Sequence, residues 1–203
     1  VAMGFVQTLA RPGGNMTGLA SQFDELITKQ LQLLKEAVPN LTRVALLRHV
    51  TSSQSILAAA ENAARSLGLV SRTLSVTTEA DFEGAFKTAR SERVGAVHVL
   101  PSPYLGARRA RLIELAARYR LPAFYELRLY VEDGGLMSYG PSTTDLYGRS
   151  ATYVDRILKG AHPGSLPIER PAKFEFVINH GVATALGLAI PRSLLSQADE
   201  VLR

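Results

Sequence analysis

Cysteine is absent from the 203 residues, which excludes disulfides, thiolate nucleophiles and Cys-built zinc or iron–sulfur sites. That absence does not choose a compartment, because exported and cytosolic proteins both manage without it. No apolar run approaches the ~18 residues needed to cross a bilayer. Catalytic signatures are missing too: there is no Gly-x-Ser-x-Gly elbow, no His-Glu-x-x-His and no Gly-x-x-x-x-Gly-Lys phosphate loop. The histidines, His49, His98, His162 and His180, have no metal-ligand spacing, so neither a metal nor another cofactor is implied. His98 lies within an apolar strand and reads as a hydrogen-bonded core residue rather than a catalyst. Internal repeats and low-complexity segments are absent. The start lacks a basic region and a small-residue cleavage site. Val1–Val6 reads as a strand, so the chain is expected to begin inside a fold, as a fragment or processed form.

What is present is ordinary globular material, 46% hydrophobic and 20% charged. The net charge is +5, but the cations are scattered. The densest set, Arg108, Arg109, Arg111, Arg118 and Arg120, follows one helical stretch with a single ring, Tyr119, among them rather than the interleaved aromatics of a single-strand binder. It reads as a solvated helix face, and no nucleic-acid partner is expected.

Periodicity organises the rest. Ser21 reads as an N-cap before a helix whose apolar face carries Phe23, Leu26, Ile27, Leu34, Ala37 and Val38, ended at Pro39-Asn40. From there apolar runs at 44–47, 94–100, 123–125 and 136–139, and an alternating strand nearer an edge at 70–76, alternate with helical patterns at 56–67, 80–90 and 105–119. Such alternation with short connections makes an α/β fold, a parallel sheet with helices on both faces. A flavodoxin-like lobe is therefore expected over 20–139, with its core at 43–139. Beyond it come a helix over Thr143–Lys159, with Tyr147, Ala151, Val154, Ile157 and Leu158 inward, and a proline-punctuated connection. A strand at Phe174–Ile178 and short helices at 182–186 and 193–202 follow. Residues 1–19 and 140–203 then read as a partial second lobe with too few strands to cover a sheet. Its partner is expected roughly a hundred residues upstream, and association as a homodimer through the incomplete lobe is expected with it.

In parallel sheets ligands bind beyond the carboxyl ends of the strands, and four such ends carry polar sets. Thr51, Ser52 and Ser53 follow Arg48-His49 at a helix start, where they either receive an anion or simply cap the helix. Ser102 and Tyr104 sit in Pro101-Ser102-Pro103-Tyr104, where the ring either meets a ligand or packs on the next helix. Tyr125-Glu126 offers an acid that either receives an ammonium or caps the turn at 127–130. Ser138, Tyr139 and Gly140 combine hydroxyls, a ring and a glycine.

Several segments carry a family resemblance. Ala10-Arg11-Pro12-Gly13-Gly14-Asn15-Met16-Thr17-Gly18, Lys35–Pro39, Leu136–Gly140, Ala151–Gly160, Leu166–Glu169, Lys173–Asn179 and Ala185–Leu188 resemble, in matching order, the ABC-transporter substrate-binding proteins. That family includes tryptophan-binding receptors of the TrpX type. The resemblance implies a type I periplasmic-binding-protein-like fold: two Rossmann-like lobes joined by crossover strands, one complete here and one partial, with ligand held between them by hinge closure. It makes Arg11–Leu19 the first crossing and Ser138–Ser142 the return. Carried over with it as cleft residues are Thr17, Gly18, Ser102, Tyr125, Glu126, Ser138, Tyr139 and Gly140.

The expected function is thus a non-enzymatic, periplasmic solute receptor for a small organic ligand, an aromatic or other amino acid or a related carboxylate, delivering to a membrane ABC permease. The alternative is the effector module of a transcription regulator, which shares the architecture. An enzyme on a similar fold is disfavoured by the lack of a close acid/base pair at a strand end.

Overall fold

The computed structural model describes residues 4–21 and 23–203. The strand expected at Val1–Val6 begins outside the described residues, and residues 4–10 are bends and coil. The chain divides into two compact units, a larger one of Phe23–Gly140 with Glu175–Arg203 and a smaller one of Val1–Gln22 with Pro141–Phe174.

The larger unit opens with α1 (Phe23–Ala37), followed by β1 (Arg43–His49), α2 (Gln54–Ser66), β2 (Val70–Val76), α3 (Ala80–Ser91) and β3 (Ala96–Val99). It continues through α4 (Pro103–Gly106), α5 (Arg109–Arg118), β4 (Ala123–Tyr125), α6 (Arg128–Glu132) and β5 (Met137–Pro141). The smaller unit contributes α7 (Thr143–Leu158), and the chain then returns as β6 (Phe174–Asn179), α8 (His180–Leu186), α9 (Arg192–Gln197) and β7 (Glu200–Leu202). The strands form one sheet in the order β2-β1-β3-β4-β5-β6-β7. Pairs β1–β2, β1–β3, β3–β4 and β4–β5 are parallel, as is β6–β7. At the β5–β6 step the Asn179 N–H donates to the Leu136 carbonyl at 2.8 Å. The end of β6 therefore lies beside the start of β5, and the pair runs in opposite directions.

Two apolar layers cover the sheet. Ile27, Leu31 and Leu34 of α1 and the alanines of α2 pack with Leu46, Phe124, Met137, Phe176 and Ile178 on one face. Phe82 and Phe86 of α3 and Leu112 and Leu115 of α5 pack with Leu47, Val97, Val99 and Tyr125 on the other. Burial on both faces is why the strands read as continuous apolar runs.

Three expectations need correction. Residues 175–203 do not belong with the partial unit: β6 and β7 extend the larger unit's sheet, and Phe176, Val177 and Ile178 are buried in it. The expected helix at 193–202 ends at Gln197, because Glu200–Leu202 pairs with Val177–Asn179 as a strand. The helix over 143–158 forms, but its stripe is inverted. Tyr147 and Leu158 are 79% and 82% exposed, whereas Tyr153 is buried and donates its hydroxyl to the Pro167 carbonyl at 2.6 Å. Within the smaller unit only the Tyr153 face of α7 finds a partner.

That unit is held by its backbone. Gly13 N–H donates to Gly164 O at 3.0 Å, Ile168 N–H to Leu9 O at 2.7 Å and Ala20 N–H to Glu169 O at 2.9 Å. A Cβ on Gly164 would stand 2.5 Å from the Gly14 carbonyl oxygen, so the two chain segments touch only because a side chain is missing. Arg149 of α7 pairs with Glu169 on the same connection.

Candidate functional site

Because β1, β3, β4 and β5 run parallel, the loops at 48–53, 101–104, 126–127 and the end of β5 all leave one edge of the sheet. The chain leaves the larger unit from that edge, at the end of β5 (Gly140–Pro141), and re-enters it at the start of β6 (Phe174–Glu175).

At the β1 end the bland reading of the hydroxyls holds in part. Ser53 N-caps α2, accepting from the Ser55 N–H at 3.2 Å. Thr51 is engaged by His49, its hydroxyl 2.7 Å from Nδ1, while His49 Nε2 lies 3.1 Å from the Thr77 carbonyl. That carbonyl can only accept, which sets the proton on Nε2 and leaves Nδ1 to receive Thr51. The Ser52 hydroxyl is buried without a partner. Arg48 is 6% exposed and donates through Nη2 to the carbonyls of Val50 and Ser52 at 3.1 and 2.8 Å.

Tyr104 ties this loop to the next. The His49 ring stacks on it at 4.2 Å, and the Arg108 guanidinium lies 3.7 Å from its centroid. Two groups that close cannot share one face, so both faces of the ring are occupied. Tyr104 packs within the protein, as the alternative reading had it. Ser102 caps α4.

Tyr125 is also withdrawn from the edge. Its side chain points into the core, fully buried and stacked on Tyr130 with ring centroids 4.5 Å apart. The alternation of β4 explains this: Phe124 faces the α1 layer, so Tyr125 faces the α5 layer.

Glu126 is the unusual residue of the edge. It is 3% exposed and its Oε2 has no hydrogen bond. Burial pushes its carboxyl up to about 7, only partly offset by its own backbone N–H, the Tyr130 hydroxyl and the Ser102 N–H. The Ser138 Oγ, on the strand paired with β4, is likewise buried and unsatisfied, whereas the buried Tyr130 hydroxyl turns toward the Glu126 carboxyl. Gly140 closes against the same residue: a Cβ there would fall 1.8 Å from the Glu126 carbonyl oxygen. A buried acid with a phenol beside it thus stands at the end of β4 with one carboxyl oxygen unused, and a buried serine hydroxyl on the neighbouring strand is idle too, which native interiors seldom leave.

Beneath them runs a network that residue patterns did not suggest. His98, fully buried in β3, meets Gln30 Oε1 through Nε2 at 3.0 Å, and Gln30 Nε2 donates to the Tyr139 carbonyl at 2.7 Å. Burial holds the His98 imidazole down to about 3, so it is neutral and structural. The Tyr139 ring meets Phe176 edge-on.

Thr17 and Gly18 lie in the smaller unit. Thr17 donates its hydroxyl to Leu166 O at 2.7 Å and Gly18 O accepts from Glu169 N–H at 3.1 Å, so both anchor the local backbone. A shallow apolar crevice with room for about 20 Å³, lined by Ala117, Leu121, Ala123, Gly134, Val182 and Leu186, lies at the starts of β4 and β5, the edge away from the polar residues. Among the described residues, no group of three or more His, Cys, Asp or Glu side chains is placed to hold a metal. No described helix is long and apolar enough to cross a membrane.

A family model for ABC transporter substrate-binding proteins matches residues 1–202. Comparison with curated proteins finds no match. Among solved structures, the chain is similar to an ABC domain from Streptococcus pneumoniae in complex with L-Trp, with 25% identity and a TM-score of 0.86 over 97% of this chain and 68% of that one. It is similar to a conserved domain protein from Vibrio cholerae, with 26% identity and a TM-score of 0.87 over 97% of this chain and 66% of that one. An open, ligand-free substrate-binding protein from Clostridium difficile shares the fold, at 19% identity and a TM-score of 0.72 over 100% of this chain and 67% of that one. The chain spans about two thirds of the length of these three structures. A ribose operon repressor from Lactobacillus acidophilus shares the fold less closely, at 14% identity and a TM-score of 0.56 over 80% of this chain and 63% of that one.

Proposed function

The chain belongs to the family of ABC transporter substrate-binding proteins, and from that premise we propose that it is the solute receptor of an importer, carrying an amino acid to a membrane permease outside the cytoplasm. The observation that carries the ligand class is Glu126, a buried carboxyl with a free oxygen at the edge from which the chain leaves for the smaller unit. A primary ammonium supplies what that cluster lacks, since it donates three hydrogen bonds to acceptors such as the carboxylate and the Ser138 and Tyr130 oxygens. The L-Trp held by the Streptococcus pneumoniae relative supports an amino acid as the first compound to try. Hinge closure suits a chain that passes between two compact units three times. Family membership also favours binding over catalysis. The regulator alternative is left with a shared fold, which does not carry function.

L-tryptophan titrated calorimetrically into the wild type and Glu126→Gln is the test. The variant is expected to bind about 10- to 150-fold more weakly, corresponding to the ~1.5–3 kcal/mol of a hydrogen bond to a charged group. Equal affinities would return Glu126 to capping the turn that follows it.

A further inference from the structure

The larger unit buries a cation without a counter-charge. Arg48, next to last in β1, is 6% exposed, and no ion pair involves it among the described residues. Its two hydrogen bonds go to backbone carbonyls, and its Nε has no partner. Continuing the β1–β3 register by one residue and the β3–β4 register by two puts Arg48, Leu100 and Glu126 on one level. Glu126 is then two strands away, ~10 Å at the usual strand spacing. At that separation the carboxyl is beyond hydrogen-bond reach and does not pair with the guanidinium. Removing an ion from water costs several kcal/mol unless an opposite charge meets it.

The guanidinium lies under the Val50–Ser52 turn that leads into α2, a helix of 13 residues. The first-turn N–H groups of a helix have no intrahelical acceptor, and its dipole favours a negative charge there. The Ser53 cap takes the Ser55 N–H, and the Ser52 hydroxyl beside it is buried and unsatisfied. A cation, a helix start and an idle hydroxyl therefore converge on one turn at the same sheet edge as Glu126.

We propose that Arg48, the Ser52 hydroxyl and the first turn of α2 form a binding site for a carboxylate. The site stands on its own geometry, while its identification as the seat of the solute's carboxylate rests on the receptor reading above. Guanidinium forks match carboxylate oxygens in geometry and charge. With the ammonium at Glu126, the edge then selects dipolar ligands over simple amines or simple acids.

Acetate is the probe, compared with chloride at matched ionic strength and pH 7.5. In the wild type, amide resonances of residues 52–56 are expected to shift saturably with acetate, and the melting temperature to rise above that in chloride. Arg48→Gln should lose both responses and Arg48→Lys should keep part of them. L-tryptophan affinity should fall at least tenfold in Arg48→Gln. Wild-type amides at 52–56 that acetate leaves unmoved would overturn the proposal whether or not the variants fold, and so would an undiminished acetate response in Arg48→Gln. Acetate binding through Arg48 without any L-tryptophan binding would instead count against the amino-acid receptor reading and leave the carboxylate site standing.

Discussion

Gly140→Ala is expected to lower stability by ~3 kcal/mol or more, at the upper end of what overpacking costs a core. The added carbon would sit 1.8 Å from the Glu126 carbonyl oxygen and 3.0 Å from its carbonyl carbon. Both obstacles are backbone, so no rotamer change relieves the clash, and the ends of β4 and β5 must part. For a chain of this size that is ~6–12 °C in melting temperature. Gly84→Ala is the control: Gly84 is exposed within α3 and a Cβ there meets nothing within 4 Å. That substitution should gain ~0.4–1 kcal/mol through the unfolded chain and helix propensity. Thermal and urea melts of both variants read the contrast directly. A Gly140→Ala protein as stable as wild type would show that the β4–β5 junction yields easily and does not hold Glu126 in place.

The sequence made the alternation of strands and helices legible because β1, β3, β4 and β5 are buried on both faces, β2 alternates as an edge strand, and the flanking helices carry a single apolar stripe. Elements that depend on tertiary pairing were not legible. Glu200–Leu202 reads as the tail of an amphipathic helix, and only its pairing with β6 makes it a strand. Tyr147 and Leu158 lie on a well-formed apolar stripe, but periodicity cannot say whether anything covers it.

The site divides the same way. Strand ends drew attention to Glu126 and Gly140, since their place in the pattern is local. The stacking of Tyr104 between His49 and Arg108 is a meeting of three loops and helices that no spacing encodes. Gln30 did leave a trace: it falls three residues after Ile27 and four before Leu34, on the buried face of α1, where a polar side chain needs a partner. Its partners, His98 and the Tyr139 carbonyl, are 68 and 109 residues away.

Glu126 and His98 are expected to oppose each other in the pH dependence of stability. Glu126 rises from an ordinary 4.5 to about 7 in the folded chain. The folded state therefore holds a proton that the unfolded state releases, and stability falls as pH rises from 4.5 to 7. His98 drops from 6.5 to about 3. The unfolded state takes up a proton that the folded state refuses, so stability grows as pH rises from 3 to 6.5. Each contributes a slope of ~1.4 kcal/mol per pH unit inside its window. The carboxyls of Asp81, Glu83 and Glu169 are held below the ordinary range by hydrogen bonds and nearby cations, so their losses fall at lower pH. Between pH 4.5 and 6.5 the wild type should accordingly be nearly flat. Removing one titrating group exposes the other. Glu126→Gln should gain stability with rising pH across that interval, by ~3 kcal/mol in total, and His98→Gln should lose about as much. Urea midpoints at four or five pH values resolve slopes of this size. Parallel curves for the wild type and Glu126→Gln would mean that the carboxyl titrates as if in water, which would remove the buried acid from which the ammonium site is argued.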